Sequence, residues 1–353
     1  MNYLTSIRGI AAFIVVIYHI KHWLIAYDIP RFISIFFEKG YLAVDFFFLL
    51  SGFIISFNYM KHFSGDDSWQ SKKVFIIKRI ARIYPLHVFV LLSYISVPLA
   101  LYLTGRIVPG GAYTGESFFI KLMLLDLWFI SSDFWSMWNT PSWTISGEFF
   151  AYLAFAFTAG LIAKFRRYAV TALLVSLSIT AIAYTVIGAR SLGDNIGDLG
   201  LLRCVSGFFN GMCLYIINYR VKDKEIAFGN WLFCISFLSF YGLILTTTAN
   251  HFYAPGLFFC MLLGLLLSKG PIHWLLELRP FVWLGDISYS VYLSHTVLLN
   301  WFVMLSMEDS QNASIFNIFA YIAIVLIFST MCYQLVEVPG RRLILRKFAS
   351  KGT

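Results

Sequence analysis

Apolar runs of about twenty residues recur from one end of the chain to the other, separated by short polar connectors. A bilayer core needs roughly twenty apolar helical residues to cross it, so the spacing predicts an all-α, polytopic integral membrane protein. The runs fall at 4–27, 41–60, 83–104, 142–163, 168–188, 200–218, 229–248, 252–268, 284–306 and 315–337, giving about 10 transmembrane helices. A further apolar piece, 117–130, is short for a span. No long polar block interrupts the pattern, so a single membrane domain over 1–353 with no separate soluble domain is expected. No internal repeat is evident, which weakens any reading built on inverted transporter repeats.

Composition agrees: 59% of the 353 residues are hydrophobic and 13% charged. The net charge of +9 is distributed at the ends of the apolar runs, where basic residues set orientation and meet membrane lipid; that placement argues against nucleic acid. If 117–130 does not cross, most of the basic residues fall on one side: Arg8, the 61–82 stretch, Lys164 with Arg166 and Arg167, Arg220 with Lys222 and Lys224, Lys269, Arg279, and the tail from Arg341 to Lys351. The positive-inside rule then places both termini in the cytoplasm. Segment 117–130 becomes a re-entrant or interfacial piece at the outer surface, where Trp128, Trp135 and Trp138 belong. The five cysteines lie inside apolar runs without ligand-like spacing, so neither disulfide nor metal site is expected. The first run is too long for a signal peptide and lacks a small-residue cleavage site, so it reads as a retained helix.

Within this apolar frame the few ionisable residues carry the candidate chemistry, because a charge at membrane depth costs roughly 2.5–3.5 kcal/mol on insertion scales. The first run, YLTSIRGIAAFIVVIYHIKHWLIAY, holds Arg8 near one end and His19 in its body. Their offset is about 16 Å, close to three whole turns, so both side chains leave one wall of the helix. The bland alternative is a snorkelling Arg8 and a His19 bonded between helices. In GYLAVDFFFLLSGF, Asp45 either has a partner, such as an Arg or a backbone amide, or is a charge favoured at a helix N-terminus. Gly40 and Gly52 point to close helix packing. Arg79 and Arg82, in the loop leading to the third run, are three positions apart and so adjacent on one helical face. Their forks suit phosphate or pyrophosphate, and they serve equally as lipid contacts and topology signal. Glu148 follows Trp143 in the outer part of the fourth run, with Ser142, Ser146 and Tyr152 nearby. It can orient an imidazole, bind a sugar hydroxyl or close a hydrogen-bond network. In LGDISYSVYLSH, Tyr292 and His295 share a helical face and can line the same cavity as His19.

Taken in order, these motifs resemble the acyltransferase-3 family of membrane acyltransferases over nearly the whole chain. The family's first helix carries Arg, ten intervening residues and His, matched by Arg8 and His19. Its second helix resembles GYLAVDFFFLLSGFII, and its Arg-x-x-Arg motif is matched by Arg79 and Arg82 before IYP. A Trp-Ser-Leu-x-x-Glu-like motif is similar to Trp143 through Glu148, with Thr144 and Ile145 departing from it. The late G-x-x-SYS-x-YL-x-H segment matches 285–295, and E-x-P before a basic end matches Glu337 and Pro339.

The resemblance implies an O-acetyltransferase of the bacterial cytoplasmic (inner) membrane, moving an acyl group to a hydroxyl of an envelope carbohydrate. The implied donor is acetyl-CoA, a co-substrate, and no metal is involved. O-antigen, capsule, exopolysaccharide, Nod-factor-like oligosaccharide and peptidoglycan are the acceptors in view, free or lipid-linked, with lipopolysaccharide or another surface polysaccharide favoured. Some members carry an extra soluble domain after the membrane core, and none is expected here. Arg8, Arg79 and Arg82 would bind CoA, the latter two through its phosphates. His19 would act as general base or transient acyl carrier, with Glu148 or Asp45 fixing its tautomer. Asp45, Trp143, Tyr292 and His295 would serve substrate or network, and the aromatic 128–143 region would meet the sugar. The rival reading is a transporter of a lipid-linked sugar or small metabolite, with His19 and Glu148 as proton-relay groups; a sensor or scaffold is a third. The oligomeric state stays open.

Overall fold

The computed structural model describes residues 2–25, 27, 29–65, 68–108, 111–128, 137–189, 191–193, 196–221, 226–246, 251–306 and 313–349. Trp135, Lys222, Lys224 and Lys351 lie outside the described residues. In order, the helices are α1 (Asn2–His19), α2 (Lys21–Ile25), α3 (Arg31–Glu38), α4 (Ala43–Gly65), α5 (Trp69–Ser93), α6 (Ser96–Leu103), α7 (Gly115–Leu122), α8 (Ser142–Lys164) and α9 (Ala169–Val186). There follow α10 (Ile196–Val221), α11 (Ile226–Thr246), α12 (Ala254–Leu267), α13 (Pro271–Leu276), α14 (Arg279–Asp286), α15 (Ser288–Ser306), α16 (Ile315–Cys332) and α17 (Val338–Ile344).

Among the described residues, 7 helical stretches are long and apolar enough to cross a membrane: Gly40–Phe63, Trp69–Leu103, Ser142–Lys164, Arg166–Val186, Ile196–Val221, Phe228–Thr246 and Ile315–Phe348. His251–Leu267 is a shorter apolar helix. The two other expected spans, at 4–27 and 284–306, are also helical but more polar, because α1 carries Arg8 and His19 and α15 carries Tyr292 and His295. The protein is a polytopic all-α membrane protein.

Two expected boundaries move. The first run is not one helix: α1 ends at His19, where Ile20 N–H turns back to Ile17 O at 3.2 Å, the tight closure of a helix end. The basic stretch before the third run is not a loop. Ser68 caps α5 by accepting from Ser71 N–H at 3.3 Å, and the Lys- and Arg-rich residues that follow are good helix formers. Arg79 and Arg82 therefore project from a rigid helix, one to two turns before Pro85.

Helix α4 lies at the centre and packs on α1, α8, α10 and α12. In a bilayer, such packing is held by close van der Waals fit rather than by exclusion of water, and small residues permit it. A Cβ on Gly52 would sit 1.9 Å from Phe208 O, and one on Gly285 would sit 2.1 Å from Thr5 O. The first contact locks α4 to α10. The second brings α14 against α1 beside Arg8. Large apolar side chains on α9, α11 and α16 face outward, among them Leu174 at 59% exposed and Phe316 at 78%, a surface suited to hydrocarbon.

Among its described residues, the 117–130 segment holds no helix long enough to cross a membrane. Its helix α7 has 8 residues, about 12 Å long against a hydrocarbon core of about 30 Å, and the chain then turns. Irregular backbone packed into a membrane bundle needs protein partners, and the carbonyls of Lys121, Leu122 and Leu124 have them. His87 Nε2 lies 2.8 Å from Lys121 O, Tyr84 OH donates to Leu122 O at 2.8 Å, and Ser146 Oγ donates to Leu124 O at 2.7 Å. A buried Lys121–Asp126 ion pair at 2.8 Å closes the turn. Trp128 donates to Ser146 O and Trp138 to Thr114 O, so both indoles tie the segment to the bundle.

Candidate active site

Five helices enclose a cavity of about 160 Å³ that gathers candidates scattered along the sequence. Arg8 enters from α1, Ser51 from α4, Arg79 and Arg82 from α5, Glu148 and Tyr152 from α8, and Tyr289 and Tyr292 from α15. The local reason for each placement is helical periodicity: Arg79 with Arg82, and Glu148 with Tyr152, stand three or four positions apart and share a face.

The arginines differ in how far their charge is met. Arg8 donates through Nε to Ser288 Oγ and through Nη2 to Gly285 O, both at 2.9 Å, which pins it to the junction of α14 and α15. Arg82 forms an ion pair with Glu337, which is 1% exposed and also accepts from Ser290 Oγ at 2.9 Å. Glu337 sits in a π-helical turn, Tyr333–Glu337, that continues α16; such local widenings frequently mark functional sites. Arg79 donates to Tyr59 OH at 3.3 Å, and its guanidinium lies 5.4–5.7 Å from the ring centroids of Tyr59, Phe75 and Tyr152. Among the described residues no carboxylate pairs with Arg79, and its Nε has no hydrogen-bond partner. Glu148 accepts from Ser51 Oγ and Tyr152 OH and makes no ion pair among the described residues. The cavity thus joins a cation without a carboxylate to a carboxylate without a cation.

Tyr292 closes one end of the cavity, its hydroxyl 3.0 Å from Thr144 Oγ1. One turn further along α15 is His295, fully buried, which meets His19 across the α1–α15 interface with ring centroids 4.7 Å apart. The backbone sets both tautomers. His19 Nδ1 is 2.8 Å from Val15 O, and His295 Nδ1 is 2.7 Å from Tyr292 O. A carbonyl can only accept, so each Nδ1 carries a proton. His295 Nε2, 3.3 Å from His19 Nδ1, is then a second and more distant acceptor sharing the one proton that Nδ1 directs at Val15 O. In the neutral pair His19 Nε2 is left as the acceptor nitrogen.

Of the predicted site residues, Arg8, Arg79, Arg82, Glu148 and Tyr292 line one cavity, and His19 with His295 form a pair just beyond it. Neither Glu148 nor Asp45 is hydrogen-bonded to His19 among the described residues; Val15 O and His295 hold the position expected for them. Asp45 is elsewhere, in a buried bidentate pair with Arg203 at 2.7 Å to each oxygen. Trp143 packs on Phe48 and lies under the Arg203 guanidinium, 5.7 Å from it. Ser51, Tyr289 and Arg203 were not predicted. A signal existed for Arg203, the one charged residue in the 200–218 run, which had to find the acid that Asp45 supplies. Among the described residues no group of three or more His, Cys, Asp or Glu could hold a metal ion.

Comparison with known proteins bears on what this cavity serves. A protein of Staphylococcus aureus (strain COL), provisionally named O-acetyltransferase, is 23% identical over 366 residues, covering 96% of this chain and 57% of its own length. The corresponding protein of strain MSSA476 matches to the same extent. The chain thus spans little more than half the length of these relatives. The acyltransferase MdmB of Streptomyces mycarofaciens is 33% identical over 125 residues, 35% of this chain and 30% of that protein. No solved structure matches. The acyltransferase-domain model of the acyltransferase-3 family matches residues 1–334, nearly the whole of the chain just described, and the chain belongs to that family.

Proposed function

We propose that the protein moves an acetyl group from acetyl-CoA on the cytoplasmic side to a hydroxyl of a cell-surface carbohydrate. The observation that carries this reading is the adjacency of a cationic cavity to an imidazole whose Nδ1 proton is held by backbone, leaving Nε2 as a base. Arg79 takes a CoA phosphate, since its charge meets no carboxylate among the described residues and a guanidinium fork suits phosphate. Arg8 supports it from α1, and Arg82 holds the wall through Glu337. The offset from Arg8 to His19, about 16 Å of helix, is the distance the pantetheine arm bridges.

The acceptor hydroxyl gives its proton to His19 Nε2 as its oxygen attacks the thioester carbonyl carbon. The tetrahedral intermediate collapses with cleavage of the C–S bond, and the thiolate of CoA recovers the proton from the imidazolium. His295 Nε2, an acceptor beside His19 Nδ1–H, favours the tautomer that leaves His19 Nε2 free as a base. The basic loops face the cytoplasm in this arrangement, and the sugar arrives from the opposite side.

Mass spectrometry of surface glycans tests the proposal. Cells lacking the protein, and cells carrying His19→Ala, are expected to lose the same acetyl mass increment from one sugar, and wild-type complementation restores it. An unchanged acyl pattern in the deletion strain would overturn the reading.

A further inference from the structure

A second cavity, about 600 Å³ and sharing no lining residue with the arginine site, opens where α4, α8 and α10 end. Four cations line it: Lys61 from α4, Lys164 from α8, Arg166 just after α8, and Arg220 from α10. Part of that charge serves the helices themselves, since a helix C-terminus presents about half a negative charge. Arg220 Nη2 donates to Arg166 O in this way, and Lys61 lies over the Tyr219 ring at 5.2 Å. Magnitude decides the rest. Three helix ends offset about one and a half of the four charges. Among the described residues no carboxylate lines the cavity or pairs with any of the four cations. Among the described residues, about two and a half positive charges remain around one concave space.

The space is roughly twenty times the share of a water molecule in the liquid, too large for an inorganic anion alone. Its floor is apolar, formed by Met60 and Ile216, both buried, with Gly160 and Ala163 leaving room along α8. A polar, cationic rim over an apolar floor at the end of three membrane helices matches an amphiphile and not a free nucleotide. We propose that this cavity holds the phosphate headgroup of an anionic phospholipid, with the glycerol and upper acyl chain against Met60, Ala163 and Ile216. The proposal does not depend on acyl transfer.

Native mass spectrometry of the full chain in a mild non-ionic detergent tests it, with phosphatidylglycerol and phosphatidylcholine of identical chains as probes. The wild type is expected to retain one phosphatidylglycerol at least tenfold more often than phosphatidylcholine. Lys61→Gln with Lys164→Gln, or Arg166→Gln with Arg220→Gln, is expected to remove that preference. Lys61→Arg with Lys164→Arg, and Lys269→Gln outside the cavity, keep it. Thermal unfolding without lipid checks that each variant is folded, and the two Gln pairs serve as independent arms. Equal retention of both lipids, an unchanged preference in a folded Gln pair, or displacement of the bound lipid by equimolar CoA overturns the assignment.

Discussion

Two of the places where the described residues bury charge are built differently. At Asp45–Arg203 both carboxylate oxygens and four of the five guanidinium N–H donors are bonded. The guanidinium donates to both carboxylate oxygens at 2.7 Å, to Leu192 O at 2.8 Å and to Tyr41 O at 3.2 Å, and the space beside the pair is only about 10 Å³. Around Arg79 and Glu148 the opposite holds. The cation meets no acid and the acid no cation among the described residues, and the cavity between α1, α4, α5, α8 and α15 has about 160 Å³. A saturated pair without room can only hold helices together. An unsaturated pair with room has interactions left for a ligand. Intramembrane charge by itself therefore does not mark a site; charge that the fold leaves unmatched beside a void does.

Substitutions should divide the two clusters, and the largest separation comes from the histidine beyond the open one. His19→Ala is expected to lower acetyl transfer by about 10²–10⁴-fold, the usual contribution of a general base, with the thermal midpoint in detergent little changed. A glycan acetylation assay beside a melting curve reads both. If Leu at position 19 restored transfer, the base assignment would fail. Next comes Arg203→Met, which strands a buried carboxylate and should cost about 3–5 kcal/mol of stability, read as lost yield and an early melt. Arg203→Met combined with Asp45→Leu removes both charges and should recover most of that loss. A double variant as unstable as the single would mean that Arg203 acts through Leu192 O and Tyr41 O instead.

Much of this division was legible along the chain, for identifiable reasons. Hydropathy located the helical runs, and Arg79 with Arg82, or Tyr292 with His295, were placed on common faces by helical repeat alone. What stayed hidden lies in pairings across long separations. Ser51 meets Glu148 across 97 positions and His295 meets His19 across 276, and no local pattern encodes which of several apolar helices become neighbours. For the same reason Glu148 and Asp45 looked equally able to orient His19, although one belongs to the open cluster and the other to the closed pair. The break after His19 was invisible because the apolar run continues through Ile20, whereas the early start of α5 was masked by charges that read as loop but favour helix.

Smaller effects are expected inside the open cluster. Arg79→Gln removes one charged hydrogen-bonding group and is expected to weaken CoA binding by about 1.5–3 kcal/mol, roughly 10–150-fold, without lowering stability. Arg82→Gln leaves Glu337 buried and unpaired, so it should destabilise the protein as well. Equilibrium binding of CoA to purified protein separates the two, and equal destabilisation by both would place Arg79 with the structural residues.

The finest division concerns Glu148, which two hydroxyls hold against the cavity wall. Ser51→Ala removes one of them and leaves Tyr152 in place, so the loss is that of a single hydrogen bond, about 1 kcal/mol. If Glu148 faces the bound substrate, this should appear as roughly a fivefold fall in transfer with the melting curve almost unmoved, because the freed carboxylate wanders from its working position. If the same loss appears in the melting curve and transfer per folded molecule is unchanged, Glu148 works as Asp45 does, joining α8 to α4. The cavity beside it would then belong to the arginines alone.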